Sequence, residues 1–128
     1  MEIYSSDLTT RLAIMPFQQV GVIESVHDCD GSIHVRTEQG LVRARCATSC
    51  LITPAVADRV WLASLGEEGT YVMAVLDRPG TQPLQLLLGR DAVIRTEGKL
   101  EVSASECMAF RTPQEFSVDA RGLTVKAL

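Results

Sequence analysis

Residues 84–128 read LQLLLGRDAVIRTEGKLEVSASECMAFRTPQEFSVDARGLTVKAL, and an apolar pattern recurs in them every eight residues. Its central positions are Leu86, Ile94, Val102, Phe110 and Val118. Two flanking series keep the same spacing: Leu84, Ala92, Leu100, Met108 and Phe116, and then Leu88, Thr96, Ala104, Thr112 and Ala120. Alternate side chains of a strand face the same way, so each repeat predicts a strand of about five residues with one apolar face, followed by a short corner. A fixed period of this kind is typical of stacked β structure.

Turn-forming residues stand where the repeats join. Gly98, Pro113 and Gly122 fall in or beside the corners, where the chain must change direction sharply. After Gly122 the spacing shortens from eight to seven, and glycine can accommodate the shorter corner. The sequence then stops just after a strand and without a polar cap. Because stacked arrays normally end in an atypical repeat, we expect the β-helix to be truncated at Leu128.

The inward side chains of this array form a face too large for one chain to cover. The predicted oligomer core consists of Leu84, Leu86, Leu88, Ile94, Leu100, Val102, Met108, Phe110, Phe116, Val118, Leu123 and Val125. At about 2 kcal/mol for each buried side chain, their gross transfer free energy is about 20–30 kcal/mol, although ordering entropy offsets much of it. A single chain could close triangular turns of about three repeats each, but a solenoid of under two turns is rarely stable alone. We therefore favour a homotrimer in which three parallel chains form a triangular β-prism.

The first half of the chain reads as a small barrel. Alternating apolar runs predict five strands, at residues 20–26, 32–37, 41–46, 59–63 and 70–76. Three consecutive antiparallel strands, a long crossing connection and a final hairpin match the five-stranded OB-fold, and other small barrels fit nearly as well.

These patterns together predict an all-β chain, a small OB-like barrel followed by an octad-repeat β-helix. We expect an N-terminal extension over residues 1–17, the barrel over 18–78, a linker over 79–83 and the β-helix over 84–128.

Composition argues against several classes of protein. The net charge is −4 and only six residues are aromatic, whereas a nucleic-acid-binding surface needs an excess of Lys and Arg or aromatic platforms. No stretch approaches the roughly 18–20 apolar residues of a membrane span, so no membrane insertion is expected. The N-terminus lacks the basic segment of a signal peptide, and the four cysteines form no CxxC pair. These features predict reduced thiols and a cytoplasmic location.

Candidate sites for metal or covalent chemistry are weak. Cys46 and Cys50, with His27, Cys29 or His34, suggest a zinc site, but zinc needs four convergent ligands and free thiols are the better interpretation. A Cys–His nucleophile would need a third orienting group, and the two histidines lie on paired strands, where we expect them to face solvent or each other. We therefore predict no catalytic residue, cofactor or metal, and no enzymatic activity.

The remaining polar and aromatic candidates have structural interpretations. Arg36, Arg43 and Arg45 form a basic cluster, but nearby acidic residues favour salt-bridged surface pairs. The tripeptide Gly89-Arg90-Asp91 is best explained as a turn. Trp61 and Tyr71 are expected in the barrel core or at a contact between barrel and β-helix.

Several segments resemble a known but uncharacterised family. These are SCLITP at residues 49–54, ADRVWLA at 57–63, AVLDRPG at 74–80 and LLLGRDAVIRTEGKLEVSASE at 86–106. The family that they resemble is encoded in type VI secretion gene clusters, beside spike and PAAR-like tip genes. A barrel followed by an eight-residue β-helical repeat is also similar to the valine-glycine repeat spike proteins and to phage tail spikes. The resemblance brings no catalytic residues, and members of the family that it indicates continue with more repeats.

The resemblance implies a structural or adaptor role in effector delivery, carried out by a spike-like homotrimer. Its expected partners are spike, PAAR-like tip or effector proteins, and no nucleic acid. The protein would stay in the cytoplasm or leave with the secretion apparatus. The alternative is an OB-fold module that binds nucleic acid or carbohydrate and uses the repeat only to oligomerise.

Overall fold

The computed structural model describes residues 17–27 and 29–127, and the first part of this range is a closed all-β barrel. Its strands are β1 (Phe17–Val26), β2 (Ile33–Thr37), β3 (Gly40–Cys46), β4 (Arg59–Ser64) and β5 (Thr70–Asp77), with one 3-10 turn at Gly66–Glu68. All five strand predictions are therefore confirmed, and the first strand begins three residues earlier than expected. The predicted N-terminal extension lies outside the described residues, except for Phe17 at the start of β1.

The strands close in the order β1-β2-β3-β5-β4, with β4 returning to β1. Only the pairing of β3 with β5 is parallel, because the long connection after Cys46 carries the chain across the barrel before β4. This order is consistent with the OB-like barrel that the sequence predicts. Within the described part of the chain, no helix has the length and apolar character needed to cross a membrane.

The barrel is filled by alternate side chains of its strands. The buried apolar residues are Ile23, Ile33, Val35, Ala44, Val60, Leu62 and Val72. On β4, Val60 and Leu62 point into this core, whereas Trp61 between them lies half-buried on the outside, opposite Val20 and Ala74. Tyr71 is also only half-buried, so neither Trp61 nor Tyr71 belongs to the buried core in which the sequence could have placed them.

The described residues divide into two units, one reaching Ala92 and one starting at Val93. The barrel and the first repeat of the array belong to the first unit, and the later repeats form the second.

One glycine on β1 is required by close packing. A Cβ atom on Gly21 would lie 2.5 Å from Val35 Cγ1 and 2.8 Å from the Arg36 carbonyl oxygen. Since both neighbours belong to β2, which is paired with β1, neither can move away freely.

We expect Gly21→Ala to lower the free energy of unfolding by about 1–3 kcal/mol, because the added methyl group overpacks the barrel wall. Chemical denaturation followed by the fluorescence of the single tryptophan, Trp61, measures this loss. Gly80→Ala is the matched control, since the nearest atom to its new methyl group is 4.0 Å away. Equal stability of the two variants would contradict the packing argument.

Candidate functional site: the octad array and its clamp on the barrel

The chain after the barrel bends at a fixed interval of eight residues. Bends occur at residues 89–90, 97–98, 105–106, 113–114 and 121. They fall at the corners predicted from the sequence and include Gly98 and Pro113, with Gly122 directly after the last bend. The backbone therefore changes direction with the same period as the apolar pattern.

The predicted oligomer core is exposed along its whole length. Its twelve side chains range from 43% exposed at Met108 to 83% exposed at Val125. Phe110 and Phe116 lie on either side of a corner with their ring centroids 6.2 Å apart, and they are still 71% and 67% exposed. Monomeric soluble proteins rarely expose a continuous apolar surface of this extent, so the array is the outstanding candidate for an interaction surface.

Beyond its first repeat, the backbone of the array pairs with no other segment in the described part of the chain. Among the described residues, no backbone–backbone hydrogen bond involves a residue beyond Leu86. The polar contacts present are local: Gly98 N donates to Thr96 Oγ1 at 3.2 Å, and Gln114 N donates to Thr112 Oγ1 at 3.3 Å. These two contacts stand at the same corner position two repeats apart. They shape the corners but leave the straight segments free to pair with another chain.

A buried ion pair holds the start of the array to the barrel. Asp58, in the crossing loop before β4, is fully buried, and Arg78 follows β5 with 9% of its side chain exposed. Arg78 Nε donates to Asp58 Oδ1 at 2.8 Å, and Arg78 Nη2 donates to Asp58 Oδ2 at 2.7 Å. Ala55 N donates to the same carboxylate at 2.9 Å. The bidentate geometry matches the planar guanidinium to the carboxylate, which a lysine cannot do.

The same arginine reaches two backbone carbonyl groups. It donates to the Thr53 oxygen at 2.9 Å and to the Pro83 oxygen at 2.7 Å, so it joins the crossing loop to the segment that leads into the array. Next to it, Thr53 N donates to the Gln85 oxygen at 2.7 Å, and Ile52 forms an antiparallel bridge with Leu86. The first repeat thus begins as a strand partner of the crossing loop, and the predicted linker at residues 79–83 lies between two fixed points. We call this arrangement the Arg78 clamp.

The clamp changes the protonation behaviour of both partners. The hydrogen bonds from Arg78 hold the pKa of Asp58 below its ordinary value of 3.8, against the opposing effect of burial. The bond to Asp58 in turn raises the pKa of Arg78. Both groups are therefore charged throughout the physiological pH range, and the pair is permanent.

The clamp residues are the ones that sequence reasoning missed. Asp58 and Arg78 lie within the quoted segments ADRVWLA and AVLDRPG, but nothing in the pattern pairs them across 20 residues. The sequence feature that could have indicated these two residues is that each charge lies directly beside an apolar strand.

The residues considered as zinc ligands do not converge. His27 Nε2 and His34 Nδ1 are 2.9 Å apart, so the two histidines face each other, as one of the two expectations had it. Cys46 and Cys50 instead pack against the barrel core, and Cys29 is exposed. In the described part of the chain, no three His, Cys, Asp or Glu side chains form a group that could hold a metal ion. Burial, reinforced by the neighbouring Cys50, raises the pKa of Cys46 to about 11.

The expected salt bridges form at two of the three arginines of the basic cluster. Arg36 contacts Glu24 at 2.8 Å, and Arg43 contacts Asp30 at 3.0 Å. Arg45 donates to the Tyr71 hydroxyl, and its guanidinium carbon lies 4.7 Å from the centre of the same ring. These contacts neutralise or occupy the three arginines.

Comparison with known proteins identifies one family. A family model described as "Protein of unknown function (DUF3540)" matches residues 24–128, which include most of the barrel and the whole array. No curated protein and no solved structure matches the chain.

We expect Arg78→Ala to lower the free energy of unfolding of the barrel by about 3–5 kcal/mol, because it leaves the Asp58 carboxylate buried without its partner. Arg78→Lys should lose less unfolding free energy, since lysine keeps the positive charge although it cannot make the bidentate contact with Asp58. Hydrogen exchange at the Thr53 amide, which bonds to Gln85, reports directly on release of the array. Protection of that amide unchanged in Arg78→Ala would show that the clamp does not hold the first repeat.

The clamp also predicts a pH dependence. Because the pKa of Asp58 is lowered on folding, its stabilising contribution is present above its ordinary value of 3.8 and is lost as the pH falls through the lower folded-state value. Asp58→Asn should be less stable at neutral pH and should lose less of its remaining stability on acidification. Denaturation curves of the unmodified protein and of Asp58→Asn, recorded from pH 7 down to pH values below the folded-state pKa of Asp58, test this. An equal loss of unfolding free energy on acidification in the two proteins would contradict it.

Proposed function

We propose that this chain, which belongs to the DUF3540 family of proteins of unknown function, is a non-enzymatic structural or adaptor component of a type VI secretion system. It would act as a spike-like homotrimer that assists assembly of the tip or of an effector. The single observation that carries the assembly part of this proposal is the exposure of all twelve large inward side chains of the array.

Three chains can cover what one chain leaves open. If each chain contributes one side of a triangle in every layer, the twelve side chains of each copy meet those of its sisters around a common axis. The straight segments between the bends then form parallel β pairs with the segments of other chains, which satisfies their backbone groups. Closed three-fold symmetry leaves no lateral edge for further growth. The octad β-helix is therefore, in this proposal, a property of the assembly.

The Arg78 clamp supports a capping role for the barrel. A stacked β array needs a distinct unit at its end, because the last layer would otherwise present a free edge. Here the crossing loop of the barrel bonds to the first repeat through Thr53 and Ile52. The barrel thus covers the beginning of the array with hydrogen bonds from its own chain.

The secretion role itself rests on the resemblance of the four quoted segments and of the barrel-and-repeat order. It implies spike proteins, PAAR-like tip proteins or effectors as partners. It also implies a protein that remains in the cytoplasm as a loading factor or leaves with the apparatus. A stiff prism with a layered end is suited to both.

The first experiment is a mass determination in solution by light scattering. The proposal expects about three times the chain mass of 13.9 kDa. A monomer at micromolar concentration would overturn it.

Co-expression with a tip protein from the same gene cluster, followed by purification on a tag carried by this chain, tests the partner. Failure of the two to co-purify would remove the adaptor role while leaving the trimer.

Phe110→Asp should abolish assembly and leave the barrel folded, because a shared apolar axis cannot accept three carboxylates. Light scattering measures the loss of the trimer, and Trp61 fluorescence verifies the barrel. Ser117→Asp is the matched control, since it places the same charge at an outward position of the neighbouring repeat. Trimer formation by Phe110→Asp, or its loss in Ser117→Asp, would contradict the assigned face.

A second candidate function is supported by a cleft on the barrel. The cleft is about 310 Å³ in volume and is lined by residues that include Asp30, Arg43, Arg45, Glu68 and Thr70. OB-folds bind oligonucleotides and oligosaccharides near the loops that line it. The mixed charge and the internal pairing of its arginines favour a neutral polar ligand such as a carbohydrate over a polyphosphate.

Titration with single-stranded DNA at low salt distinguishes this alternative. Tight binding that weakens steeply with salt would favour the nucleic-acid module, whereas no binding at low salt would exclude nucleic acid as its ligand. Arg45→Gln changes the cleft and leaves the sequence of the array unchanged. It should therefore alter ligand binding and leave the oligomeric state unchanged.

A further inference from the structure

The outward side chains of the array carry a charge pattern that the apolar face does not explain. One outward position per repeat lies between the central and the last inward positions. It is occupied in turn by Leu87, Arg95, Ser103, Arg111, Asp119 and Lys126. All six are exposed, and in the described part of the chain none of the four charged ones has an ion-pair partner. We call this series the outer column.

The arrangement of the three chains decides which of these charges become neighbours. In the proposed prism every repeat climbs one layer, so the repeat stacked on a given segment is the next repeat of a sister chain. Adjacent parallel strands are about 4.8 Å apart, which brings side chains of one column into contact. Asp119 then lies between Arg111 of one sister and Lys126 of the other. At the corner position directly before the first inward residue of a repeat, Asp91 of one chain would stack on Lys99 of a sister chain in the same way.

The competing arrangement stacks identical repeats on one another, as in a cross-β fibril. Each outer-column charge would then lie on its own copy: arginine on arginine at 95 and 111, and aspartate on aspartate at 119. Like charges directly opposite each other destabilise a sheet, whereas opposite charges stabilise it. With an offset of one repeat, no two like charges in the outer column are adjacent. The charge pattern therefore favours the closed spiral over the open fibril.

We infer that Arg111, Asp119 and Lys126 form an inter-chain ladder of alternating charge that sets sister chains one repeat apart. This inference rests on the proposed trimer and adds to it the register and the contacting residues. Its physical basis is the sequence of signs, plus, minus, plus, at an outward position with an eight-residue and then a seven-residue spacing.

Charge reversal in the full-length chain tests the ladder. Asp119→Arg places three positive charges in succession and should raise the dissociation constant of the trimer about tenfold or more, with a lower melting midpoint. The triple variant Arg111→Asp, Asp119→Arg, Lys126→Asp reverses every sign and should restore the assembly. Arg95→Asp is the matched control, because its neighbours in the offset register, Leu87 and Ser103, are uncharged. The defect of Asp119→Arg should shrink in high salt.

A cross-linking experiment reads the register without any substitution. A carbodiimide joins an amine to a carboxylate that it contacts, so Lys126 should couple to Asp119. Assembly from a mixture of ¹⁴N- and ¹⁵N-labelled chains makes the inter-chain product visible as peptides of mixed isotope. The intrachain contact of Lys99 with Glu101, at 2.5 Å, supplies an internal standard for the reaction.

The outcomes separate the two proposals. A monomeric unmodified protein overturns the trimer, and the ladder falls with it. A trimer in which Asp119→Arg behaves like Arg95→Asp, or in which the triple variant fails to restore assembly, overturns only the ladder. Mixed-isotope Lys126–Asp119 peptides together with recovery in the triple variant support both.

Discussion

The structure depends on one constraint: an apolar face that the described part of the chain leaves exposed. In most small domains the alternating side chains of a strand find a second layer within the same chain. Here the barrel uses its inward residues for its own core. Among the residues that the structure describes, the array that follows has only corners, such as those at Gly98 and Pro113, and no return strand. The face and the unpaired backbone beside it require the same solution. In the proposed trimer, a strand from another copy would cover the side chains and bond to the backbone in one step.

In the proposed assembly, the barrel would restrict where association begins. A buried ion pair contributes little net stability when it is compared with apolar packing, because both charges lose their hydration. Its contribution is geometric. A guanidinium that donates to a carboxylate and to two carbonyl groups at once permits few alternative arrangements of the segments that carry them. The clamp therefore specifies the path of the chain from β5 into the first repeat. A flexible connection would leave the start of the array free to slip in register against its neighbours.

Sequence reasoning was most successful where the signal is periodic. The eight-residue period located every bend, and alternation located the five strands, because both follow from the two-residue repeat of side-chain direction. It was least successful for contacts between distant residues. Asp58 and Arg78 each look like ordinary surface charges, and only the closure of the barrel places them together. Trp61 illustrates the same limit: a large aromatic residue in an apolar strand suggests a core position, yet the register turns it outward, between Val20 and Ala74.

The partial burial of Cys46 has a consequence for the reactivity of its thiol. A thiol with a pKa of about 11 is ionised in roughly one molecule in 10⁴ at neutral pH, and only the thiolate attacks disulfides or peroxides at a useful rate. Oxidants that modify exposed, acidic thiols would therefore react very slowly with Cys46. The thiol at the end of β3, where the crossing loop begins, is therefore a weak nucleophile at neutral pH.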